Sequence, residues 1–428
     1  MACGAAARAQ SAPAADAQVH LGVASCAGST CHGAASRTKS KSNVVQNEYL
    51  IWQQYDKHAR AYSVLTGALG RRIAANLGIG PAEKAEICLT CHTDNVPKEL
   101  RGVQFRADDG VGCEACHGGA QKWLGQHVSG RVSHDDLVAN FALYPTDRPA
   151  SRATLCLSCH QGDADRFITH QIMGAGHPRL SFELQTYTQI EPAHFAIDDK
   201  YRARKTVAQG VQVWATGQAF ALRDLATEIA SGRHHGDGVF PELVFFDCQS
   251  CHHTTSQLRW QRRASTGLKP GTPHLNDANA VILRALAAHV DPALSRKLEA
   301  DVRALQQALS GPSANPAAAA RAVADDADAF IAALGARRVA PPALHDMIRA
   351  LAALSETADA SDYAAAEQVT MGFASIIYTL QSDGAVTAAQ YTALRAALEA
   401  CYAATRVQDA YDPVQFAAAA RAVAQAAP

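Results

Sequence analysis

From Asn276 onward the chain repeats apolar residues every three or four positions, the spacing of one helical face. Leu294, Leu298, Val302, Leu305 and Leu309 form one such stripe. Its start is marked as well, because Asp291 suits a cap and Pro292 the first helical position. Asn315-Pro316 and Asp412-Pro413 repeat that signal, and Gly335 and Gly384 read as stops. About six helices are expected here, packed as an antiparallel bundle.

The first 275 residues carry a different pattern. Residues 44–77 read as helical, with Val45, Tyr49, Trp52, Tyr55, Leu65, Leu69 and Ile73 at helical steps. A second helix is expected over about 206–230, with Val211, Trp214, Leu222, Leu225 and Ile229 on one face. Between them Gly110, Gly112, Gly118 and Gly119 suit backbone lying close to a flat group. Residues 10–25 read as extended, and 256–275, with Gly267, Pro270, Gly271 and Pro273, as a polar linker. The expected fold is mostly α with much irregular chain, followed by an all-α helical bundle.

Cysteine changes this picture. Ten of the twelve cysteines fall in five stretches that each end Cys-His: Cys26–His32, Cys88–His92, Cys113–His117, Cys156–His160 and Cys248–His252. Their second cysteines are Cys31, Cys91, Cys116, Cys159 and Cys251. Four stretches are C-x-x-C-H, the signature of covalent c-type haem attachment, and the first has a four-residue spacer. Two thiols add to the porphyrin edge, and the histidine that follows reaches the iron from below. Histidine is only 18 of 428 residues yet follows every second cysteine, which neither zinc pairs nor disulfides would require. Five haem c groups are expected, with His32, His92, His117, His160 and His252 as proximal ligands. The second and third motifs lie only 21 positions apart, from His92 to Cys113, so those two macrocycles are expected to be neighbours.

Methionine is too scarce for five Met/His irons, since only Met1, Met173, Met347 and Met371 occur. Bis-histidine ligation and low potentials follow. His58, His127, His170, His177 and His194 are the expected distal ligands. The formal charge of −1 leaves no electrostatic footprint for nucleic acid. Propionates would make the loaded protein acidic and steer it to basic redox partners. No apolar run is long enough for a membrane span. Thioether attachment occurs outside the cytoplasm, so a periplasmic, exported protein is expected. Ala7-Arg8-Ala9 fits a cleavage site, with 1–9 a signal-peptide remnant. Cys3 is an alternative lipoprotein cysteine.

Cys26 to His32, Tyr49 to His58, Gly112-Cys-Glu-Ala-Cys-His-Gly118 and His170 to Pro178 resemble the multihaem c-type cytochromes of the cytochrome c-554 type. The resemblance covers roughly residues 18–255. It implies a periplasmic, mostly helical protein whose haems sit in close pairs and pass electrons. It also supports His58 and His127 as ligands to neighbouring haems. The chain departs from that pattern in its five motifs rather than four, its expanded first motif and its haem-free C-terminal stretch. The expected domains are 10–255 for five haems, 256–275 as linker and 276–428 as bundle. An electron carrier without catalytic residues is expected, its bundle free to dock a partner or form a homo-oligomer. The alternative is an oxidoreductase acting on a small nitrogen or sulfur species at one open iron, lined by Arg179, Tyr187, His234, His235 and Asp237.

Overall fold

The computed structural model describes residues 17–36, 44–233, 242–253, 263–311, 316–335 and 338–428. Residues 1–9, Cys3, Asn315, His234, His235 and Asp237 lie outside the described residues. Among those described, eighteen α-helices carry the fold and two isolated bridges are the only strand pairing. No described helix is long and apolar enough to cross a membrane. The chain divides into two compact units: Met1–Phe182 with Tyr187–Val207, and Glu183–Thr186 with Ala208–Pro428. The first four Cys-His motifs belong to the first unit and the fifth to the second.

The first unit is built from short helices and irregular chain. Its expected 44–77 helix is interrupted: Glu48–Tyr55 is α-helical, Lys57–Arg60 is a single 3-10 turn, and Ala68–Leu77 is helical again. Asp56 causes the break. Its backbone is extended, and its side chain accepts the His58 amide at 2.9 Å, the role of an N-cap. A carboxylate that bonds the next turn competes with helix continuation. Residues 19–22 are tied to the third motif by Glu114, whose carboxylate accepts the amides of Leu21, Gly22 and Ala120 at 2.7–2.8 Å.

Glycines around the third motif meet polypeptide. A Cβ at Gly119 would lie 2.8 Å from the His20 ring, and one at Gly110 would lie 2.6 Å from the His58 carbonyl. Close chain-to-chain approach is what these positions require.

The second unit is a helical bundle, with seven α-helices between Ala278 and Ala426 where about six were expected. Asp291 and Asp412 cap their helices through Ala293, Leu294 and Val414 amides, as their sequence positions suggested. An eighth helix, Gly210–Ser231, joins them and packs on Pro316–Leu334, Ala278–Val290 and Tyr363–Ser382. It is buried on nearly every side from Gly210 to Leu222. Its polar Gln218 is satisfied by Gln368 at 2.7 Å and Asn279 at 2.8 Å, as a buried amide must be. This packing places the division between units near Val207, whereas the sequence suggested 255. The described part of the expected linker is also not free, since Arg263, Thr266 and Leu275 are buried and Phe246 bridges to Leu275. Cys401 is fully buried, and loss of hydration pushes its thiol up to about 12.

Candidate functional site

In the second, third and fourth motifs the histidine ends an α-helix: Glu86–His92, Cys113–His117 and Pro149–His160. Helical geometry brings residues three and four apart to one face, so both thiols and the imidazole point the same way. The fifth motif reaches a similar turn through a 3-10 helix at Cys248–Ser250, and the His252 amide bonds the Cys248 carbonyl at 2.7 Å. The expanded first motif closes as a loop. The Cys31 amide donates to Gly28 O at 2.8 Å and the His32 amide to Cys26 O at 3.2 Å.

Six imidazoles in the first unit commit Nδ1 to an oxygen. His32 uses Glu48 at 3.0 Å, His58 uses Asp56 at 3.0 Å and His20 uses Asp94 at 2.7 Å. His92, His127 and His177 use the carbonyls of Ala61, Leu124 and Pro178 at 2.8, 2.5 and 2.8 Å. Such a bond fixes ring orientation and leaves Nε2 as the nitrogen offered to a metal. The Glu48 hydrogen bond raises the His32 pKa, and the Asp56 hydrogen bond raises that of His58. Burial works to raise Glu48, but the His32 hydrogen bond and backbone amides outweigh it and hold the carboxyl low.

The rings also come in pairs. His32 and His127 have centroids 6.2 Å apart and planes 11° apart. His58 and His160 are 6.1 Å apart at 85°, and His117 and His194 are 6.4 Å apart at 90°. An imidazole nitrogen sits about 2 Å from a transition metal, so two rings on opposite faces of one ion have centroids roughly 6 Å apart. The three pairs fit that spacing, and each joins a motif histidine to one outside the motifs. Desolvation, then the partner's charge, holds His117 down to about 3 and His160 down to about 4. Both are therefore neutral, the form that ligates. His177 lies near enough to His92 to disfavour its charge, after burial. His170 opens the short helix His170–Gly174, whose cap is Thr169, and belongs to the first unit, while His252 belongs to the second.

The thiols order the motifs in space. Cys26 is within hydrogen-bonding reach of Cys113, and Cys91 of Cys159. Cys116, raised first by desolvation, also feels Cys156. Among the first four motifs the thiols thus run first, third, fourth, second. The thiol contacts pair the second motif with the fourth, and the third with the first.

Residues 25–118 match the family model for cytochrome c554 and c-prime. This stretch is similar to the c-type cytochromes of the c554 family. The match supports haem c binding and electron transfer for this part of the chain. The match spans the first three motifs of the cytochrome. No curated protein and no solved structure matches the chain.

Several groups of the cytochrome's site were not singled out from sequence: Glu48, Asp56, Asp94 and Glu114. A carboxylate two residues before His58 was the one local signal. Tyr187, expected beside an open iron, instead packs with Phe182 on His160, with its hydroxyl on Ser181 O at 2.6 Å. Lys205 lies over the Tyr201 ring at 5.0 Å, and burial lowers its pKa.

Proposed function

We propose that this cytochrome carries electrons outside the cytoplasm through five covalently held haems. The thioether residues are Cys26 and Cys31, Cys88 and Cys91, Cys113 and Cys116, Cys156 and Cys159, and Cys248 and Cys251. The proximal imidazoles are His32, His92, His117, His160 and His252. The distal imidazoles facing the first four are His127, His177, His194 and His58 respectively, and His170 is a further distal candidate without an assigned iron. The observation that supports this most is the set of three imidazole pairs at 6.1–6.4 Å. When bound, haem supplies a one-electron couple whose potential the axial ligands set. The chain holds His32, His58, His92, His127 and His177 by an Nδ1 acceptor, so ligation by these rings need not change as the charge state changes.

Two measurements test the proposal. The mass of protein matured in an export-competent host should equal the chain plus five haems, and carbon monoxide should leave the reduced spectrum unchanged. Rapid carbon monoxide binding at one haem would favour the alternative, an oxidoreductase acting on a small nitrogen or sulfur species. A colourless protein with free thiols would end both readings.

A further inference from the structure

A cluster of titratable groups lies in the second unit beside the fifth motif. Asp247 immediately precedes Cys248. Its carboxylate accepts the Ser250 amide at 2.9 Å and caps the turn Cys248–Ser250. Its own amide donates to the His274 carbonyl at 2.9 Å. Oxygen and nitrogen atoms of Asp247, His274 and Asp362 lie within 4.8 Å of one another. His274 Nε2 is 3.5 Å from Asp362 Oδ2. Arg263 bonds that same oxygen at 2.9 Å and Asp277 at 3.0 Å, and Arg284 bonds Asp359 at 2.6 Å. Asp247, Asp277 and Arg263 are only 5–6% exposed.

The charges do not cancel. Among the described residues four buried or half-buried carboxylates, Asp247, Asp277, Asp359 and Asp362, meet two guanidiniums and one imidazole, and the more exposed Glu299 also lies 3.7 Å from Arg284. Even with His274 protonated, one negative charge remains, away from water. Arg263 holds Asp277 and Asp362, and Arg284 holds Asp359. The remaining carboxylate, Asp247, faces Asp362 and Asp277 as well as His274. A buried charge without full compensation is relieved by binding a proton. A metal ion would instead have to displace Arg263 from Asp362.

We propose that Asp247 is a redox-linked proton acceptor: it takes one proton from solvent onto its carboxylate when one electron reaches the fifth attachment site, and returns it on reoxidation. The inference rests on the reading that Cys248, Cys251 and His252 hold a haem. The electron comes from a redox partner, and the Asp247 O–H bond is the only bond that forms. An electron reaching a haem held by Cys248 and Cys251 would remove one positive charge near the residue that precedes Cys248, which would raise the affinity of the Asp247 carboxylate for a proton. Burial, then Asp362, already pushes Asp247 up to about 6, within reach of neutral solution. A protonated Asp247 still accepts the Ser250 amide, so the turn keeps its cap.

The test uses the full-length, exported holoprotein. Mass analysis of the peptide holding Cys248 and Cys251 first establishes whether it carries haem. Spectroelectrochemical titrations at several pH values then resolve the components. One midpoint should fall with pH, toward a tenfold change in its reduction equilibrium per pH unit, about 59 mV for one electron. Asp247→Asn, which can still cap the turn, should remove that slope and reduce proton uptake on dithionite reduction in unbuffered solution. Asp362→Asn, by removing a facing charge, should move the bend in the slope to lower pH. Five haems with an unaltered slope in either variant would overturn the inference alone. A haem-free peptide would overturn the reading of the fifth site and this inference together.

Discussion

His32 and His127 lie nearly parallel, 11° apart, whereas the His58–His160 and His117–His194 pairs are crossed at 85° and 90°. Parallel imidazole planes act on the same iron d orbital and split it from its neighbour. Crossed planes act on both and leave them nearly equal. The oxidised holoprotein should therefore give two kinds of low-spin signal in electron paramagnetic resonance, one rhombic and one strongly anisotropic. His127→Ala should remove the rhombic signal and add a high-spin one. A variant that loses an anisotropic signal instead would break the assignment.

Asp56 bonds both the amide and Nδ1 of His58, the only distal candidate in a ring pair that is anchored by a carboxylate. A charged acceptor makes an imidazole a stronger donor to metal and favours the oxidised state. Asp56→Asn should raise one haem midpoint by on the order of tens of mV while the haem count stays the same. Redox titration of the variant checks this, and unchanged midpoints would count against His58 as a ligand.

Glu114 satisfies three amides at 2.7–2.8 Å from a position that is 1% exposed. Glutamine at this position offers one acceptor oxygen and turns an NH₂ toward amide donors. Glu114→Gln should cost roughly 2–4 kcal/mol, because hydrogen bonds to charged groups are worth more than neutral ones. Guanidinium unfolding followed by near-ultraviolet circular dichroism measures it, and a cost below about 0.5 kcal/mol, the scale of an ordinary surface change, would refute it.

Burial works against a charge on His274, but the Asp362 hydrogen bond and carboxylate outweigh it and raise the imidazole to about 9. A histidine raised on folding adds stability that is complete below its unfolded value of about 6.5 and lost as pH climbs through the folded value. Stability of the second unit should therefore decline between about pH 6.5 and 9, by up to roughly 3 kcal/mol. His274→Gln should flatten that part of a denaturation-versus-pH curve. An equally steep decline in the variant would place its origin elsewhere.

Much of the site was legible because covalent attachment demands contiguous residues: Cys88, Cys91 and His92 read directly from the chain. The helices of the bundle were legible through local signals such as Asp291-Pro292 and the Leu294–Leu309 stripe. The opposing rings were only half legible. His58, His127 and His194 could be singled out as spare histidines in a methionine-poor chain. Which ring each would face could not, because His58 and His160 are 102 residues apart in the chain and meet only through tertiary packing. The same limit hid Glu114, two of whose three amide partners, Leu21 and Gly22, lie 93 and 92 positions away. The break at Asp56 was hidden too, since one capping carboxylate overrode an apolar spacing that suited a continuous helix. Gly210–Ser231 was read correctly as a helix, but its membership of the bundle depended on contacts with residues such as Asn279 and Thr379, 61 and 168 positions from their partners.

The thiol contacts that set the motifs in the order first, third, fourth, second mean that the numbering of the chain is no guide to what stands at the boundary. The middle sites, around Cys113–His117 and Cys156–His160, have neighbours on both sides. Within the first unit the row ends near His32 with Glu48 and near His92 with His177, and on the proposed reading these ends are candidates for exchange with a courier from outside. A change at either extremity should slow exchange with other proteins, while a change in the middle should divide one conductor into two.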